Sequence, residues 1–138
     1  QQPVSVLFLD LDHFKSINDR HGHACGDFCL RNVASALRGA LQEGDLFGRY
    51  GGEEFIAILP GRAGAAARTI AEQLRAAVEN LPLEWNGQAL RLTVSVGVAT
   101  RREHEQTPDE ALARADKALY AAKRAGRNCV QVAPAVFS

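Results

Sequence analysis

The chain has 138 residues, of which 46% are hydrophobic and 23% charged, ordinary values for a globular domain able to bury its own core. Its 16 basic and 16 acidic residues give a formal net charge of zero, which argues against binding to long nucleic acids or anionic membrane surfaces. No run approaches about 18 consecutive apolar residues and none resembles a signal peptide, so we expect one cytoplasmic domain spanning residues 1–138.

The cysteines and methionines also bear on the class of protein. No methionine is present, which predicts that the domain comes from a longer protein. Cys25 and Cys29 lie near His21 and His23, an arrangement that raises the possibility of a zinc site. Zinc sites usually repeat a tight pair of ligands, whereas the third cysteine, Cys129, is remote in sequence. The odd number of cysteines and this spacing favour reduced, partly buried thiols.

The first quarter of the chain predicts a strand and a long helix. A mostly apolar run from Val4 to Leu9 is typical of a strand buried on both faces, and it ends in Asp10-Leu11-Asp12. A short helical turn is predicted over Phe14 to Asn18, and Gly22 and Gly26 are expected to break the chain before the longer helix. The apolar residues of that helix form one stripe: Leu30, Val33, Ala34, Leu37 and Leu41.

The middle of the chain predicts a hairpin and a second helix. Leu46 to Tyr50 and Glu53 to Leu59 are predicted strands, joined by a two-residue turn at Gly51-Gly52. The helix that follows ends before Pro82. Its apolar stripe is Ile70, Leu74, Val78 and Leu81.

The last third begins with a strong hairpin signal. Asn86-Gly87 predicts a tight turn that joins Leu83–Trp85 to one long strand from Ala89 to Thr100. The apolar residues of that strand share one face: Leu90, Leu92, Val94, Val96 and Val98.

The final helix has predicted signals at both ends. Thr107 and Glu110 form a potential capping box, Pro108 suits the first helical position, and Gly126 suits a left-handed stop. A last strand is predicted over Cys129 to Val132. The predicted buried stripe of this helix is Leu112, Ala115, Leu119 and Ala122.

The order of the elements predicts the fold class. Strand, helix, hairpin, helix, strand pair, helix and strand follow one another, an order similar to the split βαβ pattern of ferredoxin-like sheets. We therefore expect an α/β (α+β) domain with a central, mainly antiparallel sheet flanked by helices, plus a small β-hairpin.

Polar residues gather at three places where chemistry is possible. Asp10 and Asp12 end the first strand, Glu53-Glu54 follows the glycine turn, and basic residues including Lys123 and Arg127 end the last helix. Taken singly, each has a structural explanation: a solvated strand end, an exposed hairpin tip, or charges that complement a helix dipole.

Together the three clusters indicate a metal and nucleotide site. If the first strand pairs with the glycine hairpin, Asp10 and Glu53 lie on neighbouring strands roughly 4.8 Å apart and can share a divalent cation. Oxygen ligands suit Mg²⁺, which combines one or two carboxylates with substrate phosphates. Lys123 and Arg127 would face those phosphates, and the bare glycines would let a ligand lie against the backbone.

Three stretches resemble a known family. "LDLDHFKSINDRHGHACGD" (residues 9–27), "RYGGEEF" (49–55) and "ADKALYAAKRAGRN" (115–128) are similar, in order and spacing, to the motifs of GGDEF domains, here in a GGEEF variant. The likeness runs from about Val4 to Val132. It implies a fold similar to the palm of polymerases and adenylyl cyclases. It also implies a bacterial signalling enzyme, a diguanylate cyclase, which joins two GTP into cyclic di-GMP with loss of two pyrophosphates.

The resemblance also implies roles for the acidic residues. Asp10, the carbonyl of Leu11 and Glu53 match the positions that hold two Mg²⁺ ions, with Mn²⁺ as a possible substitute. Glu54 matches a residue needed for catalysis, whether it contacts metal or ribose. For Asp12 the two alternatives are assistance to the metals and support of the loop.

A further set of residues matches the family's nucleotide contacts. Asn18 and Asp27 correspond to the pair that recognises guanine, a pairing that should reject adenine. Phosphates would be bound by the backbone near Phe14 and Lys15 and by two basic side chains, while the signature glycines allow close approach. The whole set is Asn18, Asp27, Phe14, Lys15, Gly51, Gly52, Lys123 and Arg127.

The chain departs from the family pattern at two places. Gln42-Glu43-Gly44-Asp45 stands where many members carry the Arg-x-x-Asp of an inhibitory product site, so Gln42 and Asp45 form a degenerate version. We expect no high-affinity inhibition there, because an amide does not replace a bidentate guanidinium. The helix that normally precedes the domain, after a motif resembling Asp-x-Leu-Thr-Gly-Leu-x-Asn-Arg-Arg, is absent, so the isolated fragment is expected to be weakly active.

Three readings of the function stay open. One domain offers one GTP site, so a cyclase would need a homodimer with two domains face to face, controlled in the parent protein by an upstream sensory or receiver domain. The alternative is a non-catalytic module that binds GTP or cyclic di-GMP. A generic polymerase-like or adenylyl cyclase palm shares the metal pair but does not predict Asn18 with Asp27.

Overall fold

A computed structural model describes residues 2–105 and 107–134 of the chain. Its elements in chain order are β1 (Val4–Leu11), α1 (Phe14–His21), α2 (His23–Ala40), β2 (Leu46–Gly51), β3 (Glu54–Pro60), α3 (Gly64–Glu79), β4 (Leu83–Trp85), β5 (Gln88–Leu90), β6 (Val94–Thr100), α4 (Pro108–Arg124) and β7 (Val130–Val132). Within these residues no helix is long and apolar enough to cross a membrane.

The strands form a central sheet with β1 in the middle. In the described part of the chain the order is β2-β3-β1-β6-β7, and β4 and β5 make a separate two-stranded sheet. All neighbours in the large sheet are antiparallel except β6 and β7. The prediction of a mainly antiparallel central sheet with a small additional hairpin is therefore confirmed.

Helices cover both faces of the sheet, as predicted. Alternate residues of β1 point to opposite sides: Leu7 and Leu9 join the large core with α2 and α3, whereas Val6 and Phe8 join a smaller one with α4. Helix α4 packs so closely on β6 that a Cβ placed at Gly97 would overlap the backbone of the helix. The middle of α4, at Ala115 and Leu119, is thereby held against the sheet.

The prediction that Gly26 breaks the chain is wrong. Helix α2 begins at His23, and only Gly22, with φ 93°, separates it from α1. Gly26 lies inside α2 and is buried there, and the side chains of Asn18 and Phe14 occupy the space that a Cβ would need. The glycine is required by helix–helix contact, a reason that local propensity does not reveal.

The predicted Gly51-Gly52 turn is displaced by one residue. Gly51 ends β2 and pairs with Glu54 at the start of β3, so the turn consists of Gly52 and Glu53. The register shifts between Arg49 and Gly51, where β2 carries one extra residue. Glu53 is therefore a turn residue and Glu54 the first residue of the strand.

The predicted long strand from Ala89 to Thr100 is divided. β5 ends at Leu90 and β6 begins at Val94, with Thr93 between them bonded through its carbonyl oxygen to the N–H of Asp12. The turn before β5 is confirmed, since Asn86 and Gly87 both have positive φ (50° and 78°).

The ends of the last helix agree with the sequence, but its cap does not. α4 spans Pro108–Arg124, and Gly126, with φ 118°, follows it. The side chain of Thr107 makes no capping hydrogen bond within the described residues, so the predicted capping box is not formed. Leu112 is only half-buried, and the buried stripe is Ala111, Ala115, Ala118, Leu119 and Ala122. The last strand begins at Val130 rather than Cys129.

The two helical cysteines belong to the core. Cys25 and Cys29 are fully buried on α2, and Cys129 is half-buried. Burial, together with the neighbouring Cys25 thiol, raises the pKa of Cys29 to about 11. Both thiols of α2 pack in the large core, which agrees with the expectation of buried, reduced thiols.

Candidate active site

The acidic clusters meet where β1 ends beside the β2–β3 turn. Asp10 is in register with Glu54 on β3, and the N–H of Leu11 donates to the carbonyl oxygen of Glu53 over 3.2 Å. The carboxylate of Asp10 points to the α4 side of the sheet, since Phe8, two residues earlier, packs there. The predicted pairing of the first strand with the glycine hairpin is confirmed.

Lys123 lies on the same side and contacts Asp10 directly. Its Nζ donates a hydrogen bond to Oδ2 of Asp10, whose side chain is 7% exposed while that of Lys123 is 33% exposed. Burial raises the pKa of Asp10 above its usual value; the contact with Lys123 opposes this, and Glu53 and Asp12 add to it. A buried carboxylate with acidic neighbours is stabilised by a cation, so the donor set fits a divalent metal.

Glu54, like Asp10, has a side-chain pKa that its surroundings shift. Burial raises its pKa, and the carboxylate of Asp10 raises it further. Lys123 opposes the shift, while Glu53 and Asp116 on α4 add to it. The carboxyl of Glu54 therefore lies close enough to Asp10, Glu53 and Lys123 for their charges to act on it.

The carboxylates do not make a complete metal site by themselves. Within residues 2–105 and 107–134 no three His, Cys, Asp or Glu side chains are grouped so as to hold an ion. The ligands expected from the resemblance are the two carboxylates of Asp10 and Glu53 and the backbone carbonyl of Leu11. Such a set suits Mg²⁺, which takes its remaining ligands from water and substrate phosphates.

Asp12 is fully engaged inside the protein. The hydroxyls of Thr93 and Ser95 donate to its two carboxylate oxygens over 2.7 and 2.6 Å, and the N–H of Asn128 donates over 3.0 Å. Asp12 is 5% exposed. Of the two alternatives from the sequence, this bonding favours support of the loop.

The expected phosphate contacts come from two separate elements. Phe14 and Lys15 open α1, and the first N–H groups of a helix have no acceptor within it. The side chain of Lys15 instead pairs with Asp19 over 3.0 Å. Arg127 is exposed in the loop after α4, with its N–H bonded to the carbonyl of Ala122.

The residues expected to recognise guanine lie on the two neighbouring helices α1 and α2. The amide Oδ1 of Asn18 is buried and has no hydrogen-bond partner among the described residues. A buried acceptor without a partner is unfavourable, so a ligand N–H would satisfy it. Asp27 is exposed and lines a cavity of about 230 Å³ between α2 and the β2–β3 hairpin, a lining to which Asn18 does not contribute.

The signature glycines leave the hairpin tip open. A Cβ built at Gly51 or at Gly52 would meet no described atom within 4 Å. The positive φ of Gly52 (48°) favours glycine, whereas Gly51 has no such conformation. Neither the backbone conformation nor packing inside the domain therefore explains why residue 51 has no side chain.

The degenerate inhibitory site is closed by an internal arginine. Arg62, in the loop after β3, forms an ion pair with Asp45 and donates to Oε1 of Gln42 over 2.7 Å. The side chain of Asp45 is 1% exposed, and its Oδ2 also accepts the N–H of Gln42. Gln42 and Asp45 therefore bind each other and Arg62.

The chain matches a known family over most of its length. A family model described as "Diguanylate cyclase, GGDEF domain" matches residues 1–129. The chain belongs to the GGDEF domain family. This confirms the resemblance on which the expected roles were based.

Relatives within the GGDEF family cover most of this chain. Diguanylate cyclase A of Treponema denticola is 39% identical over 130 residues, which are 94% of this chain and 35% of that protein. Diguanylate cyclase DgcP of Pseudomonas aeruginosa is 45% identical over 128 residues, which are 93% of this chain and 19% of that protein. The chain spans about a third or less of these relatives' length.

Solved GGDEF structures share the fold. The GGDEF domain of DgcB from Caulobacter crescentus, in complex with c-di-GMP, has a TM-score of 0.90 and 39% identity and covers 95% of this chain and 78% of its own. The active GGEEF domain of a diguanylate cyclase from Vibrio cholerae has a TM-score of 0.89 and 32% identity and covers 98% and 85%. The predicted fold class is thereby confirmed.

Two features of this GGDEF domain were missed at the level of sequence. Arg31, Arg38 and Arg49 line the cavity beside Asp27, and Arg38 stacks over Phe47 with 5.2 Å to the ring centroid. The spacing of Arg31 and Arg38, seven residues apart on α2, was a signal that could have been used. The partners of Asp12 gave no such signal, because they are 81 to 116 residues away in sequence.

Proposed function

We propose that this GGDEF domain is one half of a diguanylate cyclase, which condenses two GTP molecules into cyclic di-GMP and releases two pyrophosphates. The observation that carries the proposal is the buried Asp10 carboxylate in register with Glu54, beside the turn that holds Glu53. The diguanylate cyclase names of relatives that match more than nine-tenths of this chain support it.

The metal ligands would be Asp10, Glu53 and the carbonyl oxygen of Leu11. Two Mg²⁺ ions bound there would lower the pKa of the attacking ribose 3′-hydroxyl and neutralise charge on the α-phosphate and the leaving pyrophosphate. Glu54 lies opposite Asp10 in register, so its carboxyl is placed to exchange a proton close to the reacting atoms.

The base and the phosphates would be bound by different helices. Asn18 accepts from the guanine 2-amino group through its unpartnered Oδ1, and Asp27 accepts from the Watson–Crick edge. Lys123 lies between Asp10 and solvent, where it can also reach a phosphate oxygen, and Arg127 adds a second charge. Backbone N–H groups at the start of α1 complete the phosphate contacts.

Turnover needs two of these half-sites. Each domain presents one set of metal ligands and one guanine pair, so two domains must meet face to face, each supplying the 3′-hydroxyl that attacks the other's GTP. We propose a cytoplasmic homodimer within a longer protein whose upstream sensory or receiver domain controls the encounter. Curated relatives about three to five times longer than the matched region support that arrangement.

A binding module without catalysis is the second candidate. The GGDEF domain of DgcB was solved in complex with c-di-GMP, so product binding by a relative of this domain is an observed property. A sensor would bind GTP or cyclic di-GMP through Asn18 and Asp27 and signal to a partner without turnover.

One assay separates the two candidates. The chain is incubated with GTP and Mg²⁺, and products are separated by chromatography, in parallel with Glu53→Ala and with the exposed control Glu84→Ala. Cyclic di-GMP formed by the wild type and the control but not by Glu53→Ala supports the cyclase. Binding of GTP without product, in a dimerised form of the chain, supports the sensor.

A further inference from the structure

The loop after α4 adopts an unusual backbone conformation. Gly126, Arg127 and Asn128 follow one another with φ of 118°, 66° and 47°. Positive φ suits glycine but is unfavourable for arginine, and asparagine tolerates it better than most residues. Two consecutive non-glycine residues in this region persist only when neighbouring structure holds them there.

Asn128 is held from two sides. Its N–H donates to Oδ2 of Asp12 over 3.0 Å. Its side chain bonds to α3, where Nδ2 donates to Oε2 of Glu79 over 2.7 Å and Oδ1 accepts from Nη1 of Arg75 over 2.9 Å. The backbone N–H of Asn128 is thus bonded to Asp12, just after β1, and both ends of its side-chain amide are bonded to α3.

Asp12 is itself held by two hydroxyls, one on β6 and one on the residue before it. The hydroxyl of Thr93 donates to the oxygen that also accepts from Asn128, and the buried hydroxyl of Ser95 donates to the other oxygen. Asp12 stands two residues after Asp10 on the same chain segment. The carboxylate of Asp12 therefore links the chain segment of Asp10, a proposed metal ligand, to the loop that carries Arg127.

We propose that Asp12 and Asn128 are positioning residues that set where Arg127 meets the triphosphate, at a fixed distance from the metal ligand Asp10. This proposal rests on the proposed function. It assigns to the pair no contact with substrate: the Asp12 carboxylate is 5% exposed and accepts three internal hydrogen bonds, and Asn128 acts on the backbone of its neighbour. Loss of the Asp12–Asn128 bond should therefore weaken binding of the phosphates and leave guanine recognition at Asn18 unchanged.

The test compares ligands that share guanine but differ in phosphates. Calorimetry measures the Kd of a non-hydrolysable GTP analogue and of GMP, in Mg²⁺, for the wild type, Asn128→Ala, Arg127→Ala and the double variant. Asn128→Ala is expected to lose roughly 10-fold in affinity for the GTP analogue and less than about 2-fold for GMP. The double variant should bind no more weakly than Arg127→Ala alone, because both changes remove the same contact.

Further variants guard against general loss of structure. Asn128→Gly accepts the positive φ and keeps the N–H bond to Asp12, and Thr93→Val removes one donor to Asp12 without touching the loop. Both variants should bind the GTP analogue more weakly than the wild type does, though by less than Asn128→Ala, and should bind GMP as the wild type does. The matched control is Asn32→Ala, which removes a comparable side-chain bond to the carbonyl of Phe28 on α2 and should leave both affinities unchanged.

The outcomes distinguish this proposal from the function on which it rests. A wild type that binds the GTP analogue tightly, with Asn128 variants that weaken the analogue and GMP equally, would overturn the positioning role. Losses in Asn128→Ala and Arg127→Ala that multiply in the double variant would do so too. A wild type that binds neither nucleotide refutes the proposed function, and the positioning role falls with it.

Discussion

The ammonium of Lys123 is bonded to the carboxylate of Asp10, although 113 residues separate them in the chain. The contact joins the end of α4 to the end of β1 and places a cation beside the proposed metal ligand. A metal and this ammonium carry charge of the same sign, so they compete for the same carboxylate unless a phosphate lies between them. Before any ligand binds, the ammonium of Lys123 is thus the counter-ion of the Asp10 carboxylate.

Removal of Lys123 should change metal and nucleotide binding in opposite directions. In Lys123→Ala we expect Mn²⁺ to bind the nucleotide-free chain more tightly, because Asp10 loses its internal partner. GTP should bind about 10-fold more weakly, because a phosphate contact is lost. Calorimetry measures both. Lys117→Ala, an exposed change on the same helix, is the control, and parallel weakening of metal and GTP would contradict the competition.

The two signature glutamates should fail in different ways. Glu53→Gln removes a proposed metal ligand, so activity should fall by at least about 100-fold and be partly restored by high Mg²⁺ or Mn²⁺. Glu54→Gln should lower kcat by roughly 10²–10⁴-fold with little change in metal dependence, because a proton-accepting group is lost. Metal titrations of the rate distinguish them. Identical responses would mean that both residues act on the metals.

Two glycines of α2 allow a matched test of the guanine pocket. A Cβ at Gly26 would overlap the amide of Asn18, whereas one at Gly39 meets no described atom within 4 Å. Gly39→Ala should stabilise the helix by about 0.5–1 kcal/mol and leave GTP binding unchanged. Gly26→Ala should displace Asn18 and weaken GTP binding as much as Asn18→Ala does. Thermal unfolding and nucleotide titration measure the two effects.

Cyclic di-GMP should bind at the guanine site and not at Gln42 and Asp45. Arg62 already occupies both side chains, and Asp45 is buried, so a ligand would have to break an internal ion pair. We expect Asn18→Ala to weaken product binding by about 10-fold and Gln42→Ala to leave it within about 2-fold. An affinity for cyclic di-GMP that is unchanged in Asn18→Ala, measured by calorimetry, would contradict this assignment.

Glu105 should contribute to the pH dependence of stability. Burial by itself would raise its pKa, but the N–H of Arg102 and the guanidinium of Arg114 outweigh burial and hold the pKa below its usual 4.5. A carboxyl whose pKa is lowered on folding stabilises the protein above its unfolded pKa, and the contribution is lost as pH falls through the folded one.

The Glu105→Gln variant tests that contribution. It should be less stable by about 2–4 kcal/mol at pH 7, because Arg114 loses a partner whose side chain is 1% exposed. The difference from wild type should shrink as the pH falls below about 4.5. Denaturant unfolding from pH 7 to pH 3 measures this. Glu84→Gln, an exposed change on β4, is the control, and a constant difference at all pH values would contradict the linkage.

Local pattern was sufficient for most elements of the fold. The apolar run of β1, the α3 stripe from Ile70 to Val78 and the Asn86-Gly87 turn are short-range signals with which the structure agrees, although Leu81, predicted in the same stripe, lies beyond the end of α3. The predicted meeting of Asp10 with the glycine hairpin needed only the further assumption that β1 and β3 are neighbours. These features depend on residues close in sequence or on one strand pairing, which is why the amino-acid order determines them.

Only the tertiary structure decided which partner each polar side chain has. Gly26 looked like a helix breaker but lies within α2 because Asn18 needs its space, and the glycine turn moved by one residue because β2 carries a bulge. Asp12 had two possible roles until Thr93, Ser95 and Asn128 were found around it. The sequence alone determined the element order, the family and the acidic signature. The contacts of Asp10, Asp12 and Asp45 depend on side chains brought together from distant segments, and no local pattern encodes such distances.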